Sequence, residues 1–447
     1  MKMMFNFLVY TGASIVLCSQ LMAQTSHLPL LTLSDAVTQA LANNDDLKTL
    51  RYDKEYSQNS IDPAKAGKRP TVDFSGNLYY GYADGRAQTA GLGGPEESPP
   101  IELSGVRHGL SAQVEAAWVV FDGGKGNNIL EGLRLIDEAT AIQLTATREQ
   151  VVAQVTNTYL RVAQLYEQLA LEERNIGLTQ ARLERVARAE ELGTSSSLRR
   201  LQVEVDLRSD SIAYQNTLLE VQNAKRSLNL LIGQAVDIDF VTASLPDADP
   251  VALDLAALQA DLLANNENLA QARHRIKQSS NEIKRIDLGS TFNVQAYARN
   301  SYLNTTDNSN FLQENRNFGP EIGVRISRNI FDGGARKVDA QNAQIRLEQS
   351  RHQLEATQRT LLNQLRQAYA TYDNNRLQLA TERTNLATFQ TNYDKTLEDY
   401  RLGQTDGLTV RTAQNNLNAA LTRINLRRYG VRSSEVEILR LTGTLVK

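Results

Sequence analysis

The sequence predicts an α+β membrane protein in which two alternating strands and one very long helix occur twice. Three observations predict this fold class. The tetrapeptide Phe-Asp-Gly-Gly at 121–124 recurs 210 residues later at 331–334. A proline-free helical stretch follows each copy and ends at a Leu-Gly pair, and segments of alternating apolar and polar residues precede each copy. So long a repeated unit indicates a tandem duplication. The residues at the two strand-to-helix junctions are Phe121, Asp122, Gly123, Gly124, Phe331, Asp332, Gly333 and Gly334.

The composition disfavours several functional classes. The 48 basic and 51 acidic residues nearly balance, so no positive field for nucleic acid is expected. The four histidines are scattered without the spacing of metal ligands. We find no P-loop, dinucleotide fingerprint, nucleophile elbow or zinc motif. We therefore expect no catalytic residue, cofactor or metal site, and an enzyme is the least favoured class.

The first 23 residues have the pattern of a secretory signal peptide. Lys2 supplies the positive charge, residues 5–17 supply the apolar region, and cleavage is expected at 21–23. A membrane anchor is the alternative, but the apolar run is shorter than the ~20 residues of a spanning helix. Cys18, the only cysteine, leaves with the signal, although lipidation of Cys18 stays open. The mature chain would then have no disulfide and no cysteine-bound metal.

Four segments show the period-two alternation of strands with one apolar and one polar face. A half-buried strand in a soluble sheet is the alternative. The length of about 10–14 residues and the aromatic residues near the segment ends favour strands that cross a membrane. The four segments are 71–84, 108–121, 290–303 and 318–331. The aromatic residues are Tyr79, Tyr80, Tyr82, Trp118, Phe121 and Phe331.

Four strands do not close a barrel, and open strand edges are not tolerated in lipid. We therefore expect the edges to pair with other copies of the chain. Two copies would give eight strands and three would give twelve, and the residues alone do not choose between them. The stretches at 85–107 and 305–317 are rich in Gly, Pro, Asn and Ser and predict exposed loops.

The long helices are expected at 125–192 and 335–402, each roughly 100 Å at ~1.5 Å per residue. Apolar residues recur every seventh position in both helices, which indicates coiled-coil packing. In the second helix these are Leu365, Tyr372, Leu379, Leu386, Tyr393 and Tyr400. The first helix has Val155, Val162, Leu169, Ile176, Leu183 and Glu190 at the equivalent positions, and only Glu190 breaks the apolar match.

After each Leu-Gly pair the chain is expected to return. Return helices are predicted at 196–233 and 408–443, and a linker at 234–251. Shorter helices are predicted at 34–62 and 252–286, where Leu-Ala-Asn-Asn occurs at equivalent places. The first structural repeat is thus 24–233 and the second is 252–447.

With these motifs in place, the chain resembles the TolC-like outer membrane efflux and secretion channels, also called outer membrane factors, over nearly all of residues 30–445. The resemblance rests on the Phe-Asp-Gly-Gly junctions, the Leu-Gly tips and the duplicated order of elements. It implies a homotrimer with a twelve-stranded barrel in outer-membrane lipid, four strands from each chain, above a periplasmic α-barrel of long coiled-coil hairpins. It also implies two partners, a periplasmic adaptor and an inner-membrane pump or ATP-binding exporter.

The resemblance also assigns site residues. It implies adaptor docking at the hairpin tips and a pore entrance beside the second tip. The expected docking residues are Leu192, Gly193, Leu198, Leu402, Gly403 and Leu408; the expected entrance residues are Tyr400, Asp406, Thr409 and Thr412. Thr409 and Thr412 replace the aspartates that ring the entrance in well-known members, and Arg199 stands where the first tip often has an acid. A cap on the return helix is the alternative role for Asp406.

The function that the sequence favours is an outer membrane conduit that extends into the periplasm and carries small toxic compounds or secreted polypeptides. An exported coiled-coil scaffold or adhesin without a channel is the alternative. The alternating strands before each junction and the matched helix lengths disfavour that alternative. The residues do not discriminate between the two kinds of cargo.

Overall fold

The computed structural model describes residues 28–87, 101–102, 104–244, 250–308 and 313–446. The expected signal peptide at 1–23, Cys18 included, lies outside the described residues. In chain order the elements are β1 (Leu30–Leu31), α1 (Leu33–Asn43), α2 (Asp45–Ser60), β2 (Thr71–Ala83), β3 (Arg86–Ala87), β4 (Ile101–Glu102), β5 (Gly105–Phe121), α3 (Lys125–Glu191), α4 (Ser197–Leu231), β6 (Val241–Thr242), α5 (Leu255–Asn265), α6 (Glu267–Asp287), β7 (Asn293–Asp307), β8 (Glu314–Ser327), α7 (Ala335–Arg401) and α8 (Gly407–Thr442).

The chain divides into two compact units. We call them the helical unit and the sheet unit. The helical unit contains Met1–Leu47, Arg148–Leu258 and Leu365–Lys447, and the sheet unit contains Lys48–Thr147 and Gln259–Gln364.

The sheet unit contains a four-stranded antiparallel sheet in the order β2-β5-β7-β8. Successive side chains of a strand point to opposite faces, so the sheet has two distinct surfaces. One face carries exposed apolar side chains such as Phe74, Leu78 and Ile322. The other face carries polar groups, among them Arg299, whose Nε donates to Glu321 Oε2 at 2.9 Å. β2 and β8 each pair on one side only within the described residues.

The strand ends differ from the sequence expectation. β7 and β8 reach into the expected loop at 305–317, and β5 and the β3–β4 pair occupy parts of the expected loop at 85–107. Backbone hydrogen bonds form the ladder whatever the side chains are, so polar residues continue these strands. Residues 88–100 and 103 of that loop lie outside the described residues.

The prediction that Phe331 closes a strand is wrong, because β8 ends at Ser327. β5 does continue to Phe121, which pairs with Val294 of β7. The two junctions differ because β5 has a neighbour on each side, whereas β8 is an edge strand. Arg328 also interrupts the alternation, and its guanidinium donates to the Ser290 carbonyl at 3.1 Å.

The two shorter helices are each broken in two, where the sequence predicts single helices at 34–62 and 252–286. The breaks fall at Asn44 and Asn266, both buried. The Asn44 side chain accepts from the backbone N–H of Leu47 at 3.3 Å, and Asn266 accepts from that of Leu269 at 3.1 Å. A side-chain amide in this position caps a new helix, so no proline is needed to end the old one.

The core of the helical unit lies along the predicted heptads for about half of their length. Val155, Val162, Leu365, Tyr372 and Leu379 are all buried. Nearer the tip of the first hairpin the prediction is wrong, because Leu169, Ile176 and Leu183 are only half-buried. The buried positions there are Asn175, Thr179, Arg182 and Val186. Three of these four residues are polar, and each buried polar side chain needs a hydrogen-bond or ion-pair partner among the packed helices.

The linker contains β6, which pairs in parallel with β1 near the start of the helical unit. The Tyr159 hydroxyl donates to the Leu31 carbonyl at 3.0 Å and accepts from the Ala243 N–H at 3.1 Å. Its equivalent Tyr369 donates to the Leu253 carbonyl at 3.2 Å, so both repeats use one tyrosine at this level. Within the described ranges no helix has the combined length and hydropathy of a membrane-crossing helix.

Candidate functional site

Each hairpin tip is a helix end closed by a glycine in the left-handed conformation. Gly193 has a φ of 72° and Gly403 a φ of 75°. The N–H of Thr194 donates to the Ala189 carbonyl at 2.8 Å, and that of Gln404 donates to the Asp399 carbonyl at 2.8 Å. This is the Schellman pattern, in which a residue without Cβ reverses the chain at low cost. α3 and α7 therefore stop within one residue of the predicted ends.

Four leucines project from the two tips. Leu192 and Leu198 flank the first turn, and Leu402 and Leu408 flank the second. Their exposed fractions lie between 63% and 79%. Exposed large apolar side chains that cluster are typical of contact surfaces, whereas single ones are ordinary. The tips can thus offer an apolar surface, made twice by the duplication.

Asp406 begins α8 as its N-cap. Its carboxylate accepts from the Thr409 N–H at 2.9 Å and from the Thr409 hydroxyl at 2.7 Å. These two hydrogen bonds hold the pKa of Asp406 below its usual range. The equivalent Ser196 of α4 makes no side-chain cap. Two of the four expected entrance residues therefore bond to each other.

A cleft of about 610 Å³ lies between the start of α4 and the start of α8. It brings together four predicted site residues, namely Leu198, Tyr400, Asp406 and Leu408. Arg199 also lines it, at the position where the resemblance expects an acid. Thr412 is not part of the lining, and its hydroxyl donates to the Leu408 carbonyl within α8 at 2.9 Å.

The sequence analysis missed a polar network that borders this cleft, whose lining includes Arg182, Asp206 and Arg411. Arg411 of α8 donates to Asp210 of α4 at 2.7 and 3.0 Å and to Thr179 of α3 at 3.4 Å. The Thr179 hydroxyl donates to Asp210 at 2.7 Å. The hydrogen bond to Asp210 is the main cause that raises the pKa of Arg411. Arg182 of α3 pairs with Asp206 beside them.

The network ties three helices of the helical unit together. Thr179 is fully buried and Asp210 is 8% exposed. A buried charge that loses its partner costs several kcal/mol, so Arg411 is required once Asp210 is buried. One sequence signal could have revealed it: Asp210 lies seven residues after the buried Val203, at a heptad position where an apolar residue is expected.

Glu190, which breaks the heptad at the first tip, also has a partner. Arg200 of α4 donates to Glu190 at 2.8 Å and also pairs with Glu204. An ion pair therefore links α3 to α4 where the second hairpin has the aromatic ring of Tyr400. The two tips share a backbone but differ in side-chain chemistry.

The family profile for outer membrane efflux proteins matches residues 36–234 and 258–444. The chain belongs to this family. The outer membrane efflux protein BepC of Brucella suis biovar 1 is 22% identical over 416 residues, covering 93% of this chain and 86% of BepC. The toluene efflux pump outer membrane protein TtgC of Pseudomonas putida is 23% identical over 300 residues, covering 67% of this chain and 61% of TtgC.

Solved structures of outer membrane efflux proteins have the same fold. CusC matches with a TM-score of 0.71 at 19% identity, covering 92% of both chains. The CmeC outer membrane channel of Campylobacter jejuni matches with a TM-score of 0.74 at 15% identity, covering 92% of this chain and 86% of CmeC. At these identities the likeness establishes the fold alone.

At each junction of this family member one aspartate carboxylate caps the start of the long helix. Asp122 accepts from the N–H groups of Gly124 and Gly126 at 2.8 and 2.6 Å. Asp332 accepts from those of Gly334 and Arg336 at 3.1 and 3.3 Å. A carboxylate at a helix N-terminus satisfies N–H groups that the helix leaves free. The junction residues therefore build the turn into each long helix.

Within the described residues no cluster of His, Cys, Asp or Glu could hold a metal.

Proposed function

We propose that this chain is the outer membrane channel of a tripartite export system, a passive conduit from a periplasmic adaptor and inner-membrane pump to the exterior. One observation carries the proposal. The four-stranded sheet has an exposed apolar face, a polar face and two edges that are unpaired within the described residues. Lipid suits the apolar face, and water in a lumen suits the polar one.

The free edges support assembly from several chains. Among the residues that the structure describes, β2 and β8 each leave one edge unpaired, and lipid does not satisfy such backbone groups. Three chains would contribute twelve strands, enough to leave a lumen, whereas eight strands would fill the barrel with side chains. The homotrimer is therefore the assembly that fits a conduit. The conduit performs no chemistry, and the pump supplies the energy.

The tips are the proposed contact with the adaptor. Leu192, Leu198, Leu402 and Leu408 would supply the apolar surface, and Gly193 and Gly403 would shape it. The cleft that contains Tyr400, Asp406 and Leu408 supports an entrance at the second tip, with Thr409 and Thr412 on the following helical turn. The names of the relatives, which refer to efflux and to toluene, favour small apolar compounds over polypeptides as cargo.

The experiment that tests the proposal is the native mass of the protein after extraction from outer membranes with mild detergent, corrected for bound detergent. We expect three chains per particle and no release without detergent. A monomer, or release into buffer alone, would overturn the channel and favour the coiled-coil scaffold.

A further inference from the structure

Basic residues gather where the strands of the sheet unit meet its helices. The four strand–helix connections, each taken with the adjacent helical turn, are residues 57–70, 122–128, 284–292 and 328–338. They contain nine basic and four acidic residues, and we call the nine basic residues the basic band. The strand-to-strand connections at the opposite end of the sheet, 84–107 and 307–316, contain three basic and six acidic residues. The sheet therefore has a positive end, on the side of the helices.

Contacts between the four connections make the basic band continuous. The Lys68 ammonium of the first connection binds a side-chain amide at the start of α3, in the second connection. The Thr291 hydroxyl of the third connection donates to the Asp122 carbonyl of the second at 3.1 Å. Arg328 of the fourth connection donates to the Ser290 carbonyl of the third at 3.1 Å. The connections thus follow one another in the order of the strands β2, β5, β7 and β8.

Most of the basic band is not neutralised by the chain itself. Three of its members have carboxylate partners, since Arg69 pairs with Asp62, Arg285 with the preceding helical turn, and Arg336 with Asp332. The other six form no ion pair among the residues that the structure describes, and they are Lys65, Lys68, Lys125, Lys284, Arg328 and Lys337. Unpaired cations of one sign along a continuous surface attract an anionic ligand.

The basic band begins where the apolar face of the sheet ends. Trp118 lies on that face, because it follows Val114 at an even spacing along β5 and Val114 is the register partner of Phe74. Trp118 is 48% exposed, and its indole N–H donates to the Lys68 carbonyl at 3.1 Å. Tryptophan is typical of the headgroup level of a membrane, where its ring is in apolar surroundings and its N–H is in polar ones. The first connection therefore lies at that level.

The second repeat also places an aromatic ring beside a cation of the basic band. The Arg328 guanidinium lies over the Phe292 ring, 4.9 Å from its centroid. Phe292 stands one residue before β7 and is 48% exposed. Phe331, three residues after Arg328, is 84% exposed. Exposed aromatic rings and unpaired cations therefore occur together at both junctions.

We propose that the basic band binds the phosphate groups of anionic phospholipids in the membrane leaflet that faces the periplasm. The inference rests on the proposed function, since headgroups meet the band only if the apolar face lies in lipid. Lipid is the occupant because the band is continuous with the apolar face and its aromatic edge. Charge complementarity selects anionic headgroups over zwitterionic ones. The opposite end of the sheet has an excess of acidic residues and offers no equivalent surface.

Trp118 is the only tryptophan of the chain, so its fluorescence reports the lipid beside the first junction. The full chain is reconstituted into bilayers of phosphatidylcholine and phosphatidylglycerol, with bromine on the acyl chains of one lipid at a time. Bromine quenches an indole that it contacts, so the quenching gives the ratio of the two binding constants beside Trp118. We expect a preference of roughly fivefold for phosphatidylglycerol in about 0.1 M salt. The ratio should approach unity in about 1 M salt, because salt screens the charges.

The test variant combines Lys65→Gln with Lys68→Gln, and its preference for phosphatidylglycerol should be lost. Glutamine at position 68 keeps a donor for Asn127, and the backbone carbonyl that binds Trp118 is unchanged. Lys65→Arg with Lys68→Arg retains the charge and should retain the preference. The matched control, Arg86→Gln with Arg316→Gln, removes the same charge from exposed side chains at the opposite end of the sheet and should behave as the parent.

Equal quenching of the parent and the glutamine variant by brominated phosphatidylcholine alone, with three chains per particle in both, shows that the variant is folded and inserted. A ratio of unity in the parent, with quenching by each brominated lipid, would overturn the lipid site and leave the channel intact. A preference that survives in the glutamine variant would likewise overturn the site. No quenching by either brominated lipid would place Trp118 outside the bilayer and overturn the channel as well.

Discussion

Tyr429 is a buried residue whose ionisation should couple stability to pH. Burial first, and then the hydrogen bond to Glu167, raise the pKa of Tyr429 above the ordinary value of 10.0. The unfolded chain therefore loses this proton at a lower pH than the folded chain. The stabilising contribution is fully present below pH 10 and is lost as the pH rises through the raised pKa. One such proton changes the free energy of unfolding by about 1.4 kcal/mol per pH unit.

The measurement is the melting temperature followed by helical circular dichroism between about pH 9 and pH 12. Tyr429→Phe should be less stable than the parent at neutral pH, because Glu167 loses a donor, and should fall less steeply in alkali. Tyr52, which is exposed in the sheet unit, supplies the control, since Tyr52→Phe should follow the parent curve. Equal slopes for the parent and Tyr429→Phe would contradict the prediction.

At the residue scale the sequence predicted the functional residues that occur in both repeats and missed those that occur in only one. The tip glycines and leucines were found because each occurs twice at the same spacing. Asp210 and Arg411 lie on different helices and occur in one repeat only, so no repeat marks them. Asp406 is a third case. Its role as the N-cap of α8 follows from its position three residues before Thr409, whereas a role at a pore entrance depends on the other chains of the proposed trimer.

The sheet contains a row of charged residues that belongs to all four strands. Asp73, Glu115, Arg299 and Glu321 are direct neighbours in register across β2, β5, β7 and β8, which gives three carboxylates and one guanidinium at a single level. Arg299 is committed to Glu321 at 2.5 Å. Asp73 and Glu115 therefore leave this row with net negative charge, on the face that lines the lumen in the proposed barrel. Rings of carboxylates favour cations in channels.

We expect the combined substitution of Asp73→Asn and Glu115→Gln to lower cation selectivity. The reversal potential across a planar bilayer with a potassium chloride gradient should move toward zero. The effect should be larger near 0.1 M salt than near 1 M, because the screening length falls from about 10 Å to about 3 Å. Glu314→Gln, at the start of β8 and outside the row, is the control. An unchanged reversal potential in the double variant would place this face away from the conducting path.

At the element scale periodicity predicted the type of each long element, and the ends depended on partners. α3 and α7 were expected to within a residue because Gly193 and Gly403 stop them locally. The break at Asn44 escaped prediction because an asparagine caps a helix only when its side chain turns to the next N–H groups. Within the described residues β8 pairs with β7 alone and ends at Ser327, and periodicity does not report how many neighbours a strand has.

At the scale of the whole molecule, the duplication places equivalent features in different surroundings within one chain. The strand pair of its second repeat ends in β8, an edge strand among the described residues, and a Cβ on Gly333 of the second junction would meet nothing within 4 Å. Both features have a covered equivalent in the first repeat: β5 has a neighbour on each side, and a Cβ on Gly123 would lie 2.1 Å from the Thr291 hydroxyl oxygen. In the proposed trimer a neighbouring chain would cover the second strand edge and the second junction, as the second repeat covers those of the first.

The hairpin tips supply the last prediction, that adaptor docking needs an uncharged tip. Gly403→Glu places a bulky charge on the proposed docking surface, but it also strains a backbone with a φ of 75°. Leu402→Glu places the same charge one residue earlier with no such strain, because all non-glycine residues among those described have negative φ. Both variants should abolish dye efflux from cells that lack their own efflux channel, while native mass still gives three chains.

Gly177→Glu is the matched control for charge on a long helix, since a Cβ there meets nothing within 4 Å and the position is far along α3 from the tip. We expect normal efflux from it. Loss of efflux in Gly403→Glu alone would assign the defect to the strained turn, because a docking surface must also reject the charge at Leu402. Normal efflux from both tip variants would move the docking surface away from the tips, to the sides of the hairpins.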